Sequence, residues 1–151
     1  MRAPDHGRLR PWRFYVIRGQ ARAKLGNMFA EALRRREPSV SEAQLEKELG
    51  KPFRSPVVIA AVAKIVEGHK VPPIEQTLSA AAAVMNILNA AHALGFGAKW
   101  VTGANCYDAA FRADFGLAPA DQLIGFVHIG TPLAKPETPR PEPDAFVAEW
   151  G

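Results

Sequence analysis

The residue types that could do chemistry in this chain of 151 residues are concentrated at its start. Arg2 and His6 are followed by Arg8, Arg10 and Arg13, among turn-forming residues and just before a predicted strand. A cluster of guanidinium groups attracts an anion, and the net formal charge of +4 acts in the same direction. A nucleic-acid backbone, an acidic protein and a phosphorylated small molecule all fit this pattern, and so does a basic face that only contacts solvent.

Other candidate sites are weaker. Cys106 has no histidine base or orienting partner nearby in the sequence, which favours a small buried hydrophobic side chain over a nucleophile. His69, His92 and His128 stand singly, without the spacing of metal ligands, and we expect structural roles and no metal site. The glycines of residues 95–100 lack the third glycine of a dinucleotide-binding fingerprint and end a predicted helix instead of opening one.

Length and composition predict one folded domain over residues 1–151. Hydrophobic residues make up 48% and charged residues 23%, close to globular averages. The single cysteine excludes an intrachain disulfide framework, and no secretory signal is readable, so we expect a cytoplasmic protein. The longest apolar region is alanine-rich and interrupted by Asn86, Asn89 and His92, which predicts a buried helix and no association with a membrane.

The elements that must position these residues follow from periodicity. Strands are predicted by alternating or continuous apolar runs at residues 12–17, 55–66, 98–103 and 122–130. Helices are predicted by helical spacing and capping patterns at residues 20–36, 41–50, 74–94 and 107–115. A proline-rich tail is expected to run extended along the surface. Interleaved helices and strands predict one layered domain of α/β type.

The predicted helix at residues 74–94 is apolar on almost every face and rich in alanine, with Gly95 as its C-cap. Small residues allow a close approach of two backbones, so its expected neighbour is another helix, including the same helix of a second copy. An apolar helix of this kind cannot be left half exposed. Ala83→Arg is therefore expected to give monomers that aggregate.

Four stretches resemble the small bacterial type of FMN-dependent NAD(P)H nitroreductases. They are RAPDHGRLRPWRFYVI, PFRSPVVIAAVAK, HKVPPIEQTLSAAAAVMNILNAAHALGFGAKWVTG and IGFVHIGTP. Together they cover most of the chain, in the order found in the family. The resemblance implies an α+β, nitroreductase-like layered fold with a central, mostly antiparallel sheet flanked by helices. It also implies a homodimer with the long buried helix at its interface and an FMN in each of two interface sites.

The resemblance also implies site residues. Arg2 and His6 correspond to residues that approach the flavin, and Trp100, Val101 and Thr102 to the floor or edge of its site. Val101 stands where the family has an arginine, so that polar contact is lost. The segment linked to the NAD(P)H donor consists of Ala90, Ala91, His92, Ala93, Leu94 and Gly95. The implied reaction passes electrons from NAD(P)H through FMN to a nitroaromatic, a quinone or a similar electron-poor acceptor.

One family feature is missing from the sequence. Members carry, before the loop that holds Arg2, a helix and an Arg-Arg-Ser segment that binds the FMN phosphate. We therefore expect a misassigned start or a truncated gene, and weakened flavin binding. Arg140 or Lys135 could supply a phosphate contact, although two solvated tail charges are the better interpretation.

Two other functions stay open on the sequence. One is a non-catalytic relative that keeps the dimer helix and binds flavin weakly or not at all. The other is a nucleic-acid-binding module in which Trp12, Phe14 and Tyr15 stack on bases beside the basic loop. The strand that carries these aromatics must face a core, which weakens the second alternative, and we expect no nucleic-acid partner.

Overall fold

The computed structural model describes residues 2–134 and 139–151. The strands are β1 (Trp12–Arg18), β2 (Val57–Ala63), β3 (Gly97–Val101) and β4 (Gln122–Gly130). The helices are α1 (Ala21–Arg36), α2 (Glu42–Gly50), α3 (Pro73–Ala93), α4 (Ala104–Tyr107) and α5 (Ala109–Asp114). Short 3₁₀ turns occupy His6–Arg8, Lys51–Arg54 and Pro143–Ala145.

The strands form one four-stranded sheet in the order β1-β2-β4-β3, and each neighbouring pair is antiparallel. Helices α1, α4 and α5 cover one face, where Phe29, Phe111 and Phe126 pack in the larger hydrophobic cluster. Helix α3 covers the other face, where Val84 packs against Val127 of β4. The predicted α+β fold with a mostly antiparallel sheet between helices is confirmed.

Local capping signals were read correctly at two helix ends. Ser41 forms a capping box with Gln44 at the start of α2, as the sequence predicts. At the end of α3, Gly95 has a φ of +83°, and the N–H of Phe96 donates to the carbonyl of Ala91 at 2.9 Å. This is the Schellman arrangement, in which a glycine adopts a left-handed conformation at low cost.

The single helix predicted at residues 107–115 is wrong. Asp108 has an extended backbone, with φ −77° and ψ 113°, and separates α4 from α5. Its carboxylate accepts a hydrogen bond of 3.0 Å from the N–H of Phe111, which caps α5. A side chain that satisfies a free helix N–H stabilises a break, and it outweighs the helical periodicity of the surrounding residues.

The apolar residues of α3 mark no single buried face in the sequence, but in the fold one face is buried and another is exposed. Ala80, Ala83 and Val84 are buried against the chain's own sheet, whereas Leu78 and Met85 are 59% and 51% exposed. The choice of Ala83 as a test of an interface is therefore wrong, because arginine there would disrupt the subunit's own core. The exposed apolar stripe of α3 is therefore the surface on which an interface should be tested.

Candidate functional site

The main cavity has a volume of about 910 Å³ and lies on the face of the sheet covered by α1. Its apolar wall is formed by Phe29 and Leu33 of α1, Val101 of β3 and Phe126 of β4. Polar and charged side chains stand at both ends of β3. An apolar middle with polar ends suits a ligand that has a hydrophobic body and polar extremities.

At the end of β3, the cavity is lined by Thr102, Asn105 and Arg36. The Arg36 guanidinium donates to Asp108 Oδ2 at 2.6 Å and to Asn105 Oδ1 at 2.8 Å, which fixes its position. The pKa of Asp108 is lowered, first by the backbone N–H of Phe111 and then by the hydrogen bond and charge of Arg36, against the opposing effect of burial. Arg36 is thus neutralised in place by a carboxylate that stays ionised.

At the start of β3, Ser55 and His128 form the cavity wall together. The Ser55 hydroxyl donates to the carbonyl of Val57 at 2.8 Å, and its oxygen lies 2.9 Å from His128 Nδ1. Because the only hydroxyl proton of Ser55 is already donated to Val57, Nδ1 of His128 is the donor to the serine oxygen. Burial lowers the pKa of His128, and the positive charges of Arg54 and Lys99 lower it further, so this histidine is neutral near pH 7.

Helix α2 closes a third side of the cavity through the ion pair of Lys51 with Glu48. The close approach of α2 to α1 depends on Gly26. A Cβ at that position would stand 2.5 Å from the carbonyl oxygen of Leu49, which no real contact tolerates. The position of this wall is therefore set by backbone packing in the core.

The N-terminal loop lies on the opposite face of the sheet, along α3. The side chain of Asn86 donates to the carbonyl of Arg2 at 2.6 Å, and the Ser79 hydroxyl donates to that of Pro4 at 2.6 Å. His6 Nδ1 lies 2.6 Å from the carboxylate of Glu75, one turn further toward the start of α3. The loop thus runs antiparallel to the helix, held largely by its backbone.

The loop folds back on itself around a groove of about 530 Å³. The groove is lined by Arg2, Ala3, Asp5, Arg8, Arg10 and Trp12. Arg8 and Arg10 have left-handed φ values of +55° and +49°, a conformation that costs energy for residues with a Cβ. The Arg10 N–H donates to Asp5 Oδ2 at 2.9 Å, which helps to hold this strained segment.

The residues assigned from the resemblance do not meet at one place in a single chain. Val101 and Thr102 line the main cavity, whereas Arg2 lines the groove, and the two share no lining residue. The Trp100 ring turns to the α3 side, packs in the cluster of Val84 and Val127, and donates Nε1–H to the carbonyl of Ile124 at 3.2 Å. Its side chain therefore lines neither space.

The segment assigned to the donor lies at the end of α3 and in the turn that follows. Ala90, His92, Ala93, Leu94 and Gly95 are exposed, and only Ala91 is buried. None of these residues lines either space. Any ligand they contact must approach from outside the subunit.

Sequence reasoning missed the charged end of the cavity at Arg54, Ser55, Lys99 and His128. The alternation of β3 was sufficient to place Lys99 on the same face as Val101, but the meeting of Ser55 with His128 depends on strand register. Cys106 is buried, as predicted, and burial raises the pKa of its thiol. Arg140 is exposed in the tail, and Lys135 lies outside the described residues.

Two further features were searched for in the described ranges. Residues 2–134 and 139–151 contain no group of three or more His, Cys, Asp or Glu that could hold a metal ion. Among the helices of the same ranges, none combines the length and the apolar character needed to cross a membrane.

Comparisons with known proteins agree with this fold. The profile of the Nitroreductase family matches residues 1–131. The chain is 39% identical over 149 residues to "Putative NAD(P)H nitroreductase YdjA" of Escherichia coli K12, covering 97% of this chain and 80% of that protein. A nitroreductase-like family protein from Bacillus cereus superposes with a TM-score of 0.80 at 22% identity, covering 98% of this chain and 78% of the other.

A "putative nitroreductase in complex with fmn" from Desulfovibrio desulfuricans superposes with a TM-score of 0.67 at 25% identity. The match covers 97% of this chain and 77% of that one. A match over most of the sequence, together with the shared arrangement of sheet and helices, establishes that this chain belongs to the Nitroreductase family.

Proposed function

We propose that the chain is an FMN-dependent oxidoreductase that passes electrons from NAD(P)H to a nitroaromatic, a quinone or a similar electron-poor small molecule. The observation that carries the proposal is the cavity beside Val101 and Thr102, with its apolar wall and polar ends. The E. coli relative is named as an NAD(P)H nitroreductase, and the D. desulfuricans structure holds FMN, which supports the same cofactor and donor here.

The residues of the cavity fit FMN. A volume of about 910 Å³ lies within the range of roughly 300–1,000 Å³ that is common for cofactor sites. Phe29, Leu33 and Phe126 offer apolar surface to a planar ring system. Hydrogen-bonding groups at both ends of β3 can bind the polar ring edge and the phosphorylated chain.

When bound, FMN supplies the hydride-accepting and electron-donating chemistry, while the protein supplies position and electrostatics. Val101 and Thr102 would place the ring against the end of β3. Arg2, supported by His6, would supply positive charge where reduction adds negative charge. The apolar wall excludes water from the ring and strengthens that interaction.

The proposal requires a homodimer. Arg2 and Thr102 lie on opposite faces of the sheet of one chain, so a second copy must bring such groups together. Three exposed residues of α3, at positions 74, 78 and 85, are each followed directly in the sequence by a residue that hydrogen-bonds to the N-terminal loop. Those neighbouring residues are at positions 75, 79 and 86. A copy seated on the exposed stripe would therefore also touch the basic loop.

The proposal includes a cytoplasmic location, for which a single buried thiol is suited to a reducing compartment. It needs no nucleic-acid partner, because two of the three aromatic residues of β1 are used in packing. Phe14 packs in the cluster beneath α3, and Tyr15 packs edge-on against Phe115.

The test is flavin binding and reduction by the purified protein. After exposure to excess FMN and gel filtration, we expect flavin bound to the protein, loss of its visible absorption on anaerobic addition of NADPH or NADH, and recovery with a nitroaromatic. Arg2→Ala should slow the reduction and make the flavin potential more negative, because the lost charge matters most in the reduced state. Arg34→Ala, on an exposed part of α1 outside the cavity, is the matched control.

Protein that binds no flavin under these conditions would overturn the proposed function. Unchanged reduction rate and potential in Arg2→Ala would remove Arg2 from the site and leave the flavin function standing.

A further inference from the structure

Two polar side chains in the apolar middle of α3 bind the backbone of the N-terminal loop. The Asn86 amide donates to the carbonyl of Arg2, and the Ser79 hydroxyl donates to that of Pro4, each at 2.6 Å. Both residues interrupt a run of alanine and larger apolar side chains. Asparagine has a lower helix propensity than alanine, so the exposed Asn86 is not explained by the stability of α3 itself.

These contacts lie on one side of the helix. Positions 79 and 86 are seven residues apart, or about two turns, which places their side chains on the same face. Glu75 is about one turn earlier on that face, and its carboxylate lies 2.6 Å from His6 Nδ1. The loop is therefore held along α3 at three points, and the last of them is the Arg2 carbonyl.

The contact with Asn86 fixes the backbone of Arg2 and leaves its side chain available to a ligand. Within residues 2–134 and 139–151, this is the only hydrogen bond that Arg2 makes, and the guanidinium takes part in no ion pair. An exposed segment of this kind is poorly ordered unless its backbone is tied down. The location of the Arg2 charge therefore depends on Asn86.

We propose that Asn86, supported by Ser79, is a positioning residue that sets the place of the Arg2 charge at the flavin. The inference rests on the proposed function, in which Arg2 supplies positive charge where reduction adds negative charge. Such a charge is most effective when it is held in place before the reaction, because reorganisation during the reaction offsets part of the stabilisation. Asn86 meets this requirement through the backbone of Arg2.

The first measurement uses flavin-free protein and needs no activity. The N–H of Ala3 belongs to the same peptide group as the Arg2 carbonyl, so its NMR order parameter reports whether that carbonyl is held. In the unmodified chain we expect the value of rigid backbone, about 0.85, and in Asn86→Ala a fall to the flexible range below about 0.6.

Asn89→Ala is the matched control. Asn89 is an exposed asparagine of the same helix, and its side chain makes no hydrogen bond in the part of the chain that the structure describes. Its replacement should leave the Ala3 order parameter unchanged. A thermal melt of each variant checks that it is folded.

The second measurement uses protein loaded with FMN. Asn86→Ala should slow flavin reduction by NADPH or NADH by roughly threefold to tenfold, the equivalent of one lost hydrogen bond. It should also make the flavin potential more negative, by less than Arg2→Ala does. Asn86→Gln keeps the amide donor and should recover part of both losses, whereas Asn89→Ala should match the unmodified chain.

A double variant distinguishes positioning from a purely structural role. Arg2→Ala removes the charge but keeps the carbonyl that Asn86 binds. Adding Asn86→Ala to Arg2→Ala should therefore change neither the rate nor the potential further. Additive losses would mean that Asn86 acts independently of the Arg2 charge, and they would overturn the inference.

The remaining outcomes separate the two proposals. An Ala3 amide that is equally ordered in Asn86→Ala and in the unmodified chain would overturn the inference. So would equal rates and potentials of Asn86→Ala and Asn89→Ala, and the flavin function would stand in both cases. Absence of flavin binding by the unmodified protein would overturn the proposed function and the positioning role together.

Discussion

The main cavity and the N-terminal loop are built in opposite ways. The cavity wall consists of residues that are also the core: Phe29 and Phe126 pack face to edge with ring centroids 5.2 Å apart. In the loop, the backbone carbonyls of Arg2 and Pro4 accept hydrogen bonds from α3, while the arginine side chains remain exposed. The shape of the cavity is thus coupled to stability, whereas the charge of the loop is not.

This difference indicates how each region can be altered. A change in the cavity wall must affect folding and ligand binding together, because the same contacts determine both. A change in a loop side chain can affect function with little effect on stability. The left-handed Arg8 and Arg10 place backbone strain in the loop, away from the core contacts that form the cavity wall.

The largest effect is expected from Gly125→Ala in β4, the strand that also carries Phe126 of the cavity wall. A Cβ on Gly125 would stand 2.4 Å from Trp100 Nε1 and 2.6 Å from the carbonyl oxygen of Val101, and the φ of +146° already disfavours alanine. Both the Trp100 side chain and the backbone at Val101 must therefore move. We expect a loss of about 3–5 kcal/mol in the free energy of unfolding, measured by urea denaturation.

Gly116→Ala is the matched control for Gly125→Ala. Gly116 also has a positive φ, of +86°, but no atom lies within 4 Å of the position of a new Cβ. It isolates the backbone strain, which is about 1 kcal/mol. Equal losses in the two variants would mean that the close approach of Gly125 to Trp100 and Val101 adds nothing to the backbone strain.

The packing of Trp100 also shows where sequence reasoning ends. Alternation and caps predicted most strands and helices, because those signals lie within a few residues of the element they specify. The side on which Trp100 packs depends on Gly125 and on an irregularity in the pairing of β2 with β4 between Ala61 and Val62. That information is spread over three strands, and no local pattern contains it.

The candidate site divides in the same way. Val101 and Thr102 were identified from the resemblance, and the structure places them in the cavity. The contact of Ser55 with His128 follows from strand register and from a 3₁₀ turn far away in the sequence. The separation of Arg2 from Thr102 could not be predicted at all without knowing on which face of the sheet each residue lies.

The second-largest effect tests whether the main cavity and the N-terminal loop of one site must come from different copies of the chain. Leu78→Arg places a charge in the exposed apolar stripe of α3 and leaves the cavity untouched. We expect dimerisation to weaken by roughly a hundredfold or more, since a buried unpaired charge is costly, with little loss of subunit stability. Light scattering after gel filtration reports the mass, and retained flavin per subunit should fall with it.

Tyr107→Arg is the control for Leu78→Arg, because Tyr107 is also a large exposed side chain but lies on α4, away from the stripe. It should leave both mass and flavin content unchanged. A monomeric unmodified chain at micromolar concentration that still retains flavin would show that one copy builds the whole site.

The smallest effect is expected at Asp108, which joins the core to the Thr102 end of the cavity. Asp108→Ala removes the cap of α5 and the partner of Arg36, and we expect a loss of about 1–2 kcal/mol. Asp108→Asn keeps a capping oxygen and should lose less. Asp114→Asn breaks the more exposed ion pair with Arg35 and should cost under about 0.5 kcal/mol.

The pH dependence identifies the cause of the Asp108 effect. The pKa of Asp108 is lowered in the folded protein, so its stabilisation is fully present above the unfolded value of about 3.9 and is lost as the pH falls through the folded value. The difference in free energy of unfolding between the unmodified chain and Asp108→Asn should therefore be constant from neutral pH down to about pH 5 and shrink below about pH 4. A difference that persists undiminished in acid would assign the effect to packing and not to the carboxylate, and would leave Arg36 without the anchor that fixes it at the cavity.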